Sequence, residues 1–316
     1  MPSAFNAQIA MRHKIATFYK FLTLDPVPLQ PKLLRACETL GLKGTVLLAP
    51  EGINATLSGL AQNLDQFLSD LRQDDRFANV VVKNSWTDRS PFDRLKVKIK
   101  PEIVTLGRPD INPAEQSGIY VTPQDWNALL KAEPDLVIID TRKSFEISTG
   151  SFAGAIDPKI SSFRQFPTYV ETHLNPQEHK KIAMFCTGGI RCEKASSYLL
   201  NQGFETVYHL QGGILNYLEE IPPEDSLWQG ECFVFDQRTA VQKGHNSNGT
   251  ENSGIEDGSF ITCLACGDPV SSQEQASPHY QVGLTCPHCH DRLTPDQHQS
   301  NQERLKQRNL MLGRST

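Results

Sequence analysis

The run Ile182 to Phe185, followed at once by Cys186-Thr-Gly-Gly-Ile-Arg191 and then by Glu193 to Leu200, constrains this chain more than any other segment. Four consecutive apolar residues read as a buried strand and the later residues as a helix, so Cys186 falls at a strand-to-helix switch. Such switches belong to parallel sheets covered on both faces, where ligands gather at the carboxyl ends of strands. Gly188 and Gly189 let the turn close tightly with its amide hydrogens pointing inward. Together with the positive end of the next helix, Thr187, Gly188, Gly189, Ile190 and Arg191 make an anion pocket. A sulfur there is favoured as thiolate, below its free pKa of about 8.5, and becomes nucleophilic. An inert packing cysteine rarely opens a Gly-Gly-x-Arg loop behind a strand.

With 316 residues the chain exceeds the usual single core, so two or three domains are expected. No apolar run reaches the 18 residues of a membrane span, and the first residues lack the charged-then-apolar order of a secretory signal. A cytoplasmic, reducing compartment is the expectation, and the eight cysteines read as reactive or metal-binding thiols rather than disulfides. A net charge of −5 argues against a uniformly basic coat while leaving room for a local nucleic-acid patch.

Three parts follow. In residues 1–106, strands over Ile15 to Leu24, Gly44 to Leu48, Val80 to Lys83 and Leu95 to Ile99, with helices near Pro31 to Leu40 and Leu60 to Leu71, predict a four-stranded antiparallel sheet under two helices, ferredoxin-like α+β. Pro50 to Asn54 reads as a turn. Lys83, Arg89, Arg94, Lys96, Lys98 and Lys100 outnumber Asp88 and Asp93, and Lys96, Lys98 and Lys100 share one strand face. That face is either simply solvated or a phosphate-contact surface. Residues 107–122 are a breaker-rich linker, closed by Thr122 as the cap of a helix with Pro123 in its first turn.

Residues 123–225 alternate helix and strand: Pro123 to Lys131, Leu136 to Ile139, a helix and short strand, a helix near Gln177, Lys181 to Phe185, the Cys186 loop and its helix, Thr206 to His209, and a last helix opened by Gly212-Gly213. Asp140 and Arg142 are expected to support the loop as an ion pair, with Glu146 in a similar part. Cys192 is either a resolving thiol or, the better reading, helix packing, and Cys37 and Cys232 are read as packing. In residues 226–316, Cys263-x-x-Cys266 and Cys286-x-x-Cys289 are separated by nineteen residues, the spacing of a four-thiolate structural zinc site. His288 and His290 are loop histidines on that reading. Residues 245–259 are polar, Gly-rich and expected to be mobile, and Gln302 to Leu312 is a short helix biased basic by Arg304, Lys306, Arg308 and Arg314.

The middle part resembles rhodanese domains through Ile139 to Arg142, Phe145-Glu146, Gly150 to Ile156, the Cys186 loop and Leu210 to Ile214, in that order. Over roughly residues 14 to 240 the chain resembles more closely the rhodanese-domain tRNA uridine hydroxylases, through Tyr19 to Phe21, Gly41 to Asn54, Phe185 to Lys194 and Glu231 to Asp236. That resemblance implies oxygen-dependent hydroxylation at carbon 5 of the wobble uridine in the tRNA anticodon loop, with Cys186 as the essential residue and molecular oxygen as co-substrate. The first domain is read as acylphosphatase-like in fold and as docking RNA, since it lacks a phosphate loop, while zinc rests on spacing alone. No flavin, haem or iron signature is visible.

Two chemistries fit the thiolate. It adds to carbon 6 of an extruded uracil, or it carries sulfur as a cysteine persulfide, the activity of a sulfurtransferase. A phosphatase would want five residues between Cys186 and the arginine, where four stand. Acylphosphatase chemistry would want a Gly-rich loop after the first strand, which Phe21 to Pro28 does not supply.

Overall fold

The computed structural model describes residues 13–87, 90–133, 135–235, 239–245, 251–257 and 259–311. The first unit runs β1 (His13–Phe21), α1 (Pro26–Thr39), β2 (Lys43–Ala49), β3 (Gly52–Leu60), α2 (Ala61–Leu71), β4 (Val82–Thr87) and β5 (Leu95–Ile99). Ala16, Phe18, Val46, Leu48, Ala55 and Leu57 alternate along their strands into one core under both helices. Asp25 starts α1 by accepting the Val27 N–H at 3.1 Å.

The sheet order β4-β1-β3-β2-β5 is ferredoxin-like with one strand added. Two expectations are corrected here. Only Pro50 and Glu51 turn; Gly52 already pairs with Ala49 and opens β3, whose Asn, Ser and Gly content mimics a loop although Ile53, Ala55 and Leu57 face the core. The sheet is also not wholly antiparallel, because Leu95–Ile99 runs parallel to β2 as a fifth, edge strand. Arg89 and Asp88 lie outside the described residues.

The second unit contains β6 (Ile119–Val121), α3 (Pro123–Ala132), β7 (Val137–Asp140), α4 (Ser144–Ile147), β8 (Gly150–Phe152), α5 (Phe166–His173), β9 (Lys181–Phe185), α6 (Ile190–Asn201), β10 (Thr206–Leu210) and α7 (Gly213–Glu220). Its sheet, β6-β10-β9-β7, is parallel throughout. The unbroken apolar run of β9 has a direct cause. Ile182 and Met184 pack with Phe166, Tyr198 and Leu199, while Ala183 and Phe185 pack on the opposite face with Trp126 and Tyr217. The helix expected near Gln177 lies upstream instead, with Pro167 in its first turn, and Asn175 to His179 form a turn closed by the Asn175 side chain.

The chain then continues through β11 (Trp228–Gly230), β12 (Cys232–Phe233), β13 (Ala240–His245), β14 (Glu251–Asp257), β15 (Ile261–Thr262), β16 (Pro269–Val270), α8 (Ser272–Gln275) and α9 (Pro295–Met311). β11 pairs with β8, so this third part packs on the second. Of the segment read as mobile, residues 251–257 pair as β14 with β13, and residues 246–250 and 258 lie outside the described residues. The final helix begins seven residues before Gln302, where Thr294 accepts the Gln297 N–H; Leu312 and Arg314 are not described. Among the described residues, no helix is long and apolar enough to cross a membrane.

A buried cation joins the first and second units. Lys194 on α6 is fully covered and its ammonium pairs with Glu51 from the β2–β3 turn and, at 2.7 Å, with Glu102, which leads into the linker. Glu102 also accepts the N–H groups of Leu106 and Gly107. Lys194→Ala would leave two carboxylates without their cation, and removing one partner from a buried ion network typically costs about 3–5 kcal/mol. A loss of that size in urea-unfolding free energy is the expected result.

Candidate active site

Cys186 follows β9 directly and is buried at the floor of the loop. Gly189, at φ +99°, turns its amide back to donate to the Cys186 sulfur at 3.2 Å, and α6 starts at the next residue. The N-terminus of α7 closes the other side: Ile214 N–H and Leu215 N–H donate to the carbonyls of Cys186 and Thr187 at 2.9 and 3.1 Å. Gly213 is required there, since a Cβ would sit 2.4 Å from the Cys186 carbonyl oxygen.

Burial by itself would raise the Cys186 pKa. Against it act a hydrogen bond from the Cys192 thiol, then the Arg191 charge, then the backbone amides of Cys192 and Gly189, and together they hold it at about 5. Cys192 is correspondingly held protonated, its pKa well above the usual thiol range through burial and the neighbouring Cys186 charge. Thr141 Oγ1 lies 3.4 Å from the Cys192 sulfur and donates to the Phe185 carbonyl. The residue that sequence reasoning assigned to packing therefore sits beside the Cys186 sulfur. Its only sequence signal is the six-residue offset from Cys186 on a helix whose first turn faces the loop. For Cys37 and Cys232, burial pushes both thiols up to about 12.

Arg191 is in the loop, but its guanidinium is already engaged, donating to both Glu146 oxygens at 2.7 Å. It is a rigid, paired cation whose field still reaches the sulfur. Asp140 and Arg142 form a second ion pair at 2.7 Å, both fully covered, with Arg142 also donating to the Glu146 and Gly150 carbonyls. These groups brace the loop from behind and do not line the cavity.

A cavity of about 1260 Å³ opens over the loop and is roofed by the uncovered face of the first unit's sheet. Its walls include Cys186, Thr187, Gly188, Ile190 and Arg191 from below, and Thr17, Tyr19, Asn54, Thr56 and Lys83 from above. Tyr19 Oη donates to Glu193 at 2.9 Å across the two units, and Lys83 donates to the Gly212 carbonyl. Burial lowers the Lys83 pKa to about 8. Lys96 and Lys98 register beside Thr45 and Leu47 on the same uncovered face, half-buried and exposed respectively, and Lys100 is exposed beyond them. Tyr19, Tyr120, Lys83 and Glu193 escaped the sequence reading as site residues because no local motif joins positions up to 174 apart.

Cys263, Cys266, Cys286 and Cys289 also converge. Their sulfurs all lie within 4.8 Å of one another, with separations of 3.7, 3.7 and 4.0 Å along three edges. Zinc–sulfur bonds of about 2.3 Å place tetrahedral ligands roughly 3.8 Å apart, so this donor set fits one tetrahedral ion. His288 is turned to Glu274 at 2.8 Å and His290 to Asp291 at 2.8 Å.

Because the folded-state pKa of Cys186 is depressed, its ionised form adds stability that is complete above the free-thiol value of about 8.5 and lost as pH falls through about 5. Alkylation of Cys186 by iodoacetamide should accordingly show a midpoint near pH 5. Cys192→Ala removes the leading hydrogen bond and should move that midpoint upward by about one unit or more.

Residues 13–103 match the family model of the UPF0176 acylphosphatase like domain, and residues 122–220 match the rhodanese-like domain. Among solved structures, a Rhodopseudomonas palustris protein of unknown function, described as a possible tyrosine phosphatase, is 27% identical over 32% of this chain and 79% of its own, with a TM-score of 0.27. A thiosulfate sulfurtransferase from Pseudomonas aeruginosa is 25% identical over 33% of this chain and 19% of its own, also at 0.27. A curated relative from Picosynechococcus sp., named tRNA uridine(34) hydroxylase, is 47% identical over 298 residues, 94% of this chain and 96% of its own length. An identity of that depth, running through both matched domains and beyond them, means that the chain belongs to the tRNA uridine(34) hydroxylase family.

Proposed function

We propose that this protein hydroxylates carbon 5 of the wobble uridine of tRNA, with molecular oxygen as co-substrate and Cys186 as the catalytic nucleophile. The observation that carries the reading is a low-pKa sulfur at the floor of a cavity roomy enough for a nucleotide, walled by two domains. Anticodon bases are single-stranded, so extruding one costs little, and an unstacked uracil meets Tyr19 and Tyr120 along the walls. Lys96, Lys98 and Lys100 extend the uncovered sheet face outward, a placement suited to backbone phosphates of the loop. In this reading residues 1–106 dock RNA, 107–122 link, 123–225 carry the chemistry and 226–316 hold a structural zinc ion. The site of action is the cytoplasm, where tRNA is used.

Chemically, the Cys186 thiolate adds to carbon 6 of uracil, and the electron pair displaced from the 5,6 double bond makes carbon 5 the nucleophilic centre. Carbon 5 then takes one oxygen atom from dioxygen, and a two-electron reductant is consumed in reducing the other to water. The loop amides and Arg191 keep the sulfur ionised before addition and receive it again as leaving group. Zinc bound by the four cysteines, none of which lines the cavity, would supply folding energy to the last part of the chain.

Mass spectrometry of wobble nucleosides from cells lacking the protein checks the assignment. Wild type should restore 5-hydroxyuridine and Cys186→Ser should reduce it by at least about 100-fold, the scale of losing a nucleophile. Unchanged tRNA with thiosulfate-dependent sulfur release in vitro would instead establish sulfur transfer. Metal analysis of the purified protein should give about one zinc per chain, and Cys286→Ser should lose it together with protease resistance of the last part.

A further inference from the structure

We infer that Glu193 is a catalytic residue, the base that removes the carbon 5 proton from the Cys186-bound uracil. The inference rests on the covalent route proposed above, and three observations support it. The first is position: Glu193 lies in the first turn of α6 and lines the same cavity as Cys186. The second is its partners. Tyr19 Oη donates to Glu193 Oε2 at 2.9 Å from the opposite domain, and the Tyr120 hydroxyl lies near enough to favour its charged form. Both phenols are held protonated, Tyr19 far above its usual range and Tyr120 at about 12, so they orient the carboxylate without competing for its proton.

The third observation is the condition of the other ionisable groups on the walls. Arg191 is paired with Glu146, Lys83 is tied to the Gly212 carbonyl, Lys20 donates to the Arg76 carbonyl, Lys143 lies over the rings of Phe145 and Phe235, and Glu220 is exposed and bonded by Gln124 and Asn216. Of the two carboxylates on the walls, Glu193 is the half-buried one and lies close enough to Cys186 to feel its charge, whereas Glu220 is exposed. Burial, and more weakly the Cys186 charge, raise its pKa against the two tyrosine hydrogen bonds, bringing it closer to the working pH of a general base.

The step balances without an oxidant. With sulfur bound to carbon 6 and the new oxygen on carbon 5, a Glu193 oxygen takes the carbon 5 hydrogen as a proton. The electron pair of the broken C–H bond forms the 5,6 double bond, and the pair of the C–S bond returns to sulfur as thiolate. Glu193 is left as the neutral acid and passes its proton to solvent. On unmodified uridine with oxygen excluded, a solvent proton adds to carbon 5 of the Cys186 adduct on the face that oxygen would otherwise meet, and Glu193 then takes the original hydrogen from the opposite face as sulfur leaves, so hydrogen at that carbon exchanges with solvent.

The experiment incubates full-length protein with unmodified tRNA in deuterium oxide with oxygen excluded, and follows deuterium at carbon 5 of the wobble uridine by mass spectrometry. Wild type should exchange, and Cys186→Ser should not. Glu193→Gln should exchange at least about 100-fold more slowly, the contribution expected of one general acid–base. It should still be alkylated at Cys186, which shows the loop intact, and Glu193→Asp should recover part of the exchange. Exchange at the wild-type rate in a folded Glu193→Gln protein would overturn this inference alone and leave the Cys186 route standing. Absence of exchange in wild type would overturn the covalent route and, with it, this role.

Discussion

The buried ammonium of Lys194 sets the geometry on which the rest of this molecule depends. It projects from the helix that begins at the Cys186 loop and is satisfied by carboxylates belonging to the first domain and to the segment entering the linker. A charge buried away from water must keep its partners, so the docked arrangement is fixed to the one register in which Glu51 and Glu102 both reach Lys194. The consequence is a cavity whose floor is the Cys186 loop of one fold and whose roof is the uncovered sheet face of another. Neither domain contains that chamber by itself.

Within the chamber the electrostatics are divided rather than simply positive. Arg191, the one cation of the loop, has both arms on Glu146, and the thiolate draws support first from the Cys192 thiol and afterwards from the guanidinium. This arrangement suits a nucleophile that must attack, stay attached and then leave. A fully unpaired arginine would over-stabilise the free thiolate and make carbon–sulfur bond formation costly. Hydrogen bonds from a thiol and two amides lower the pKa while keeping the sulfur nucleophilic.

Much of the architecture was legible because local rules suffice for it. The β9 run, the Gly-Gly-x-Arg turn, Thr122 capping a Pro-led helix and the paired Cys-x-x-Cys turns each encode their structure within a dozen residues. Strand β3 was missed because Gly52, Asn54, Ser58 and Gly59 carry loop composition, and only pairing with strands on both sides makes nine such residues extended. The edge strand β5 was found but its direction was not, since direction depends on which neighbour it meets. The helix read near Gln177 failed for a similar reason: the Asn175 side chain offers the backbone local hydrogen bonds that compete with a helix.

What the sequence alone determined was the chemistry available: one sulfur placed at a strand end before a helix N-terminus, four cysteines spaced to share one ion, and two fold classes in tandem. These are properties of short segments, fixed by backbone geometry and side-chain period. What only the tertiary structure decided was the company that sulfur keeps. Tyr19, Lys83 and Glu193 meet at the cavity from positions far apart, and Cys192 changes from filler to hydrogen-bond donor only when α6 is folded under the loop. Contacts of that range depend on how two separate cores dock, and the docking is enforced by a buried charge whose partners lie 143 and 92 residues away.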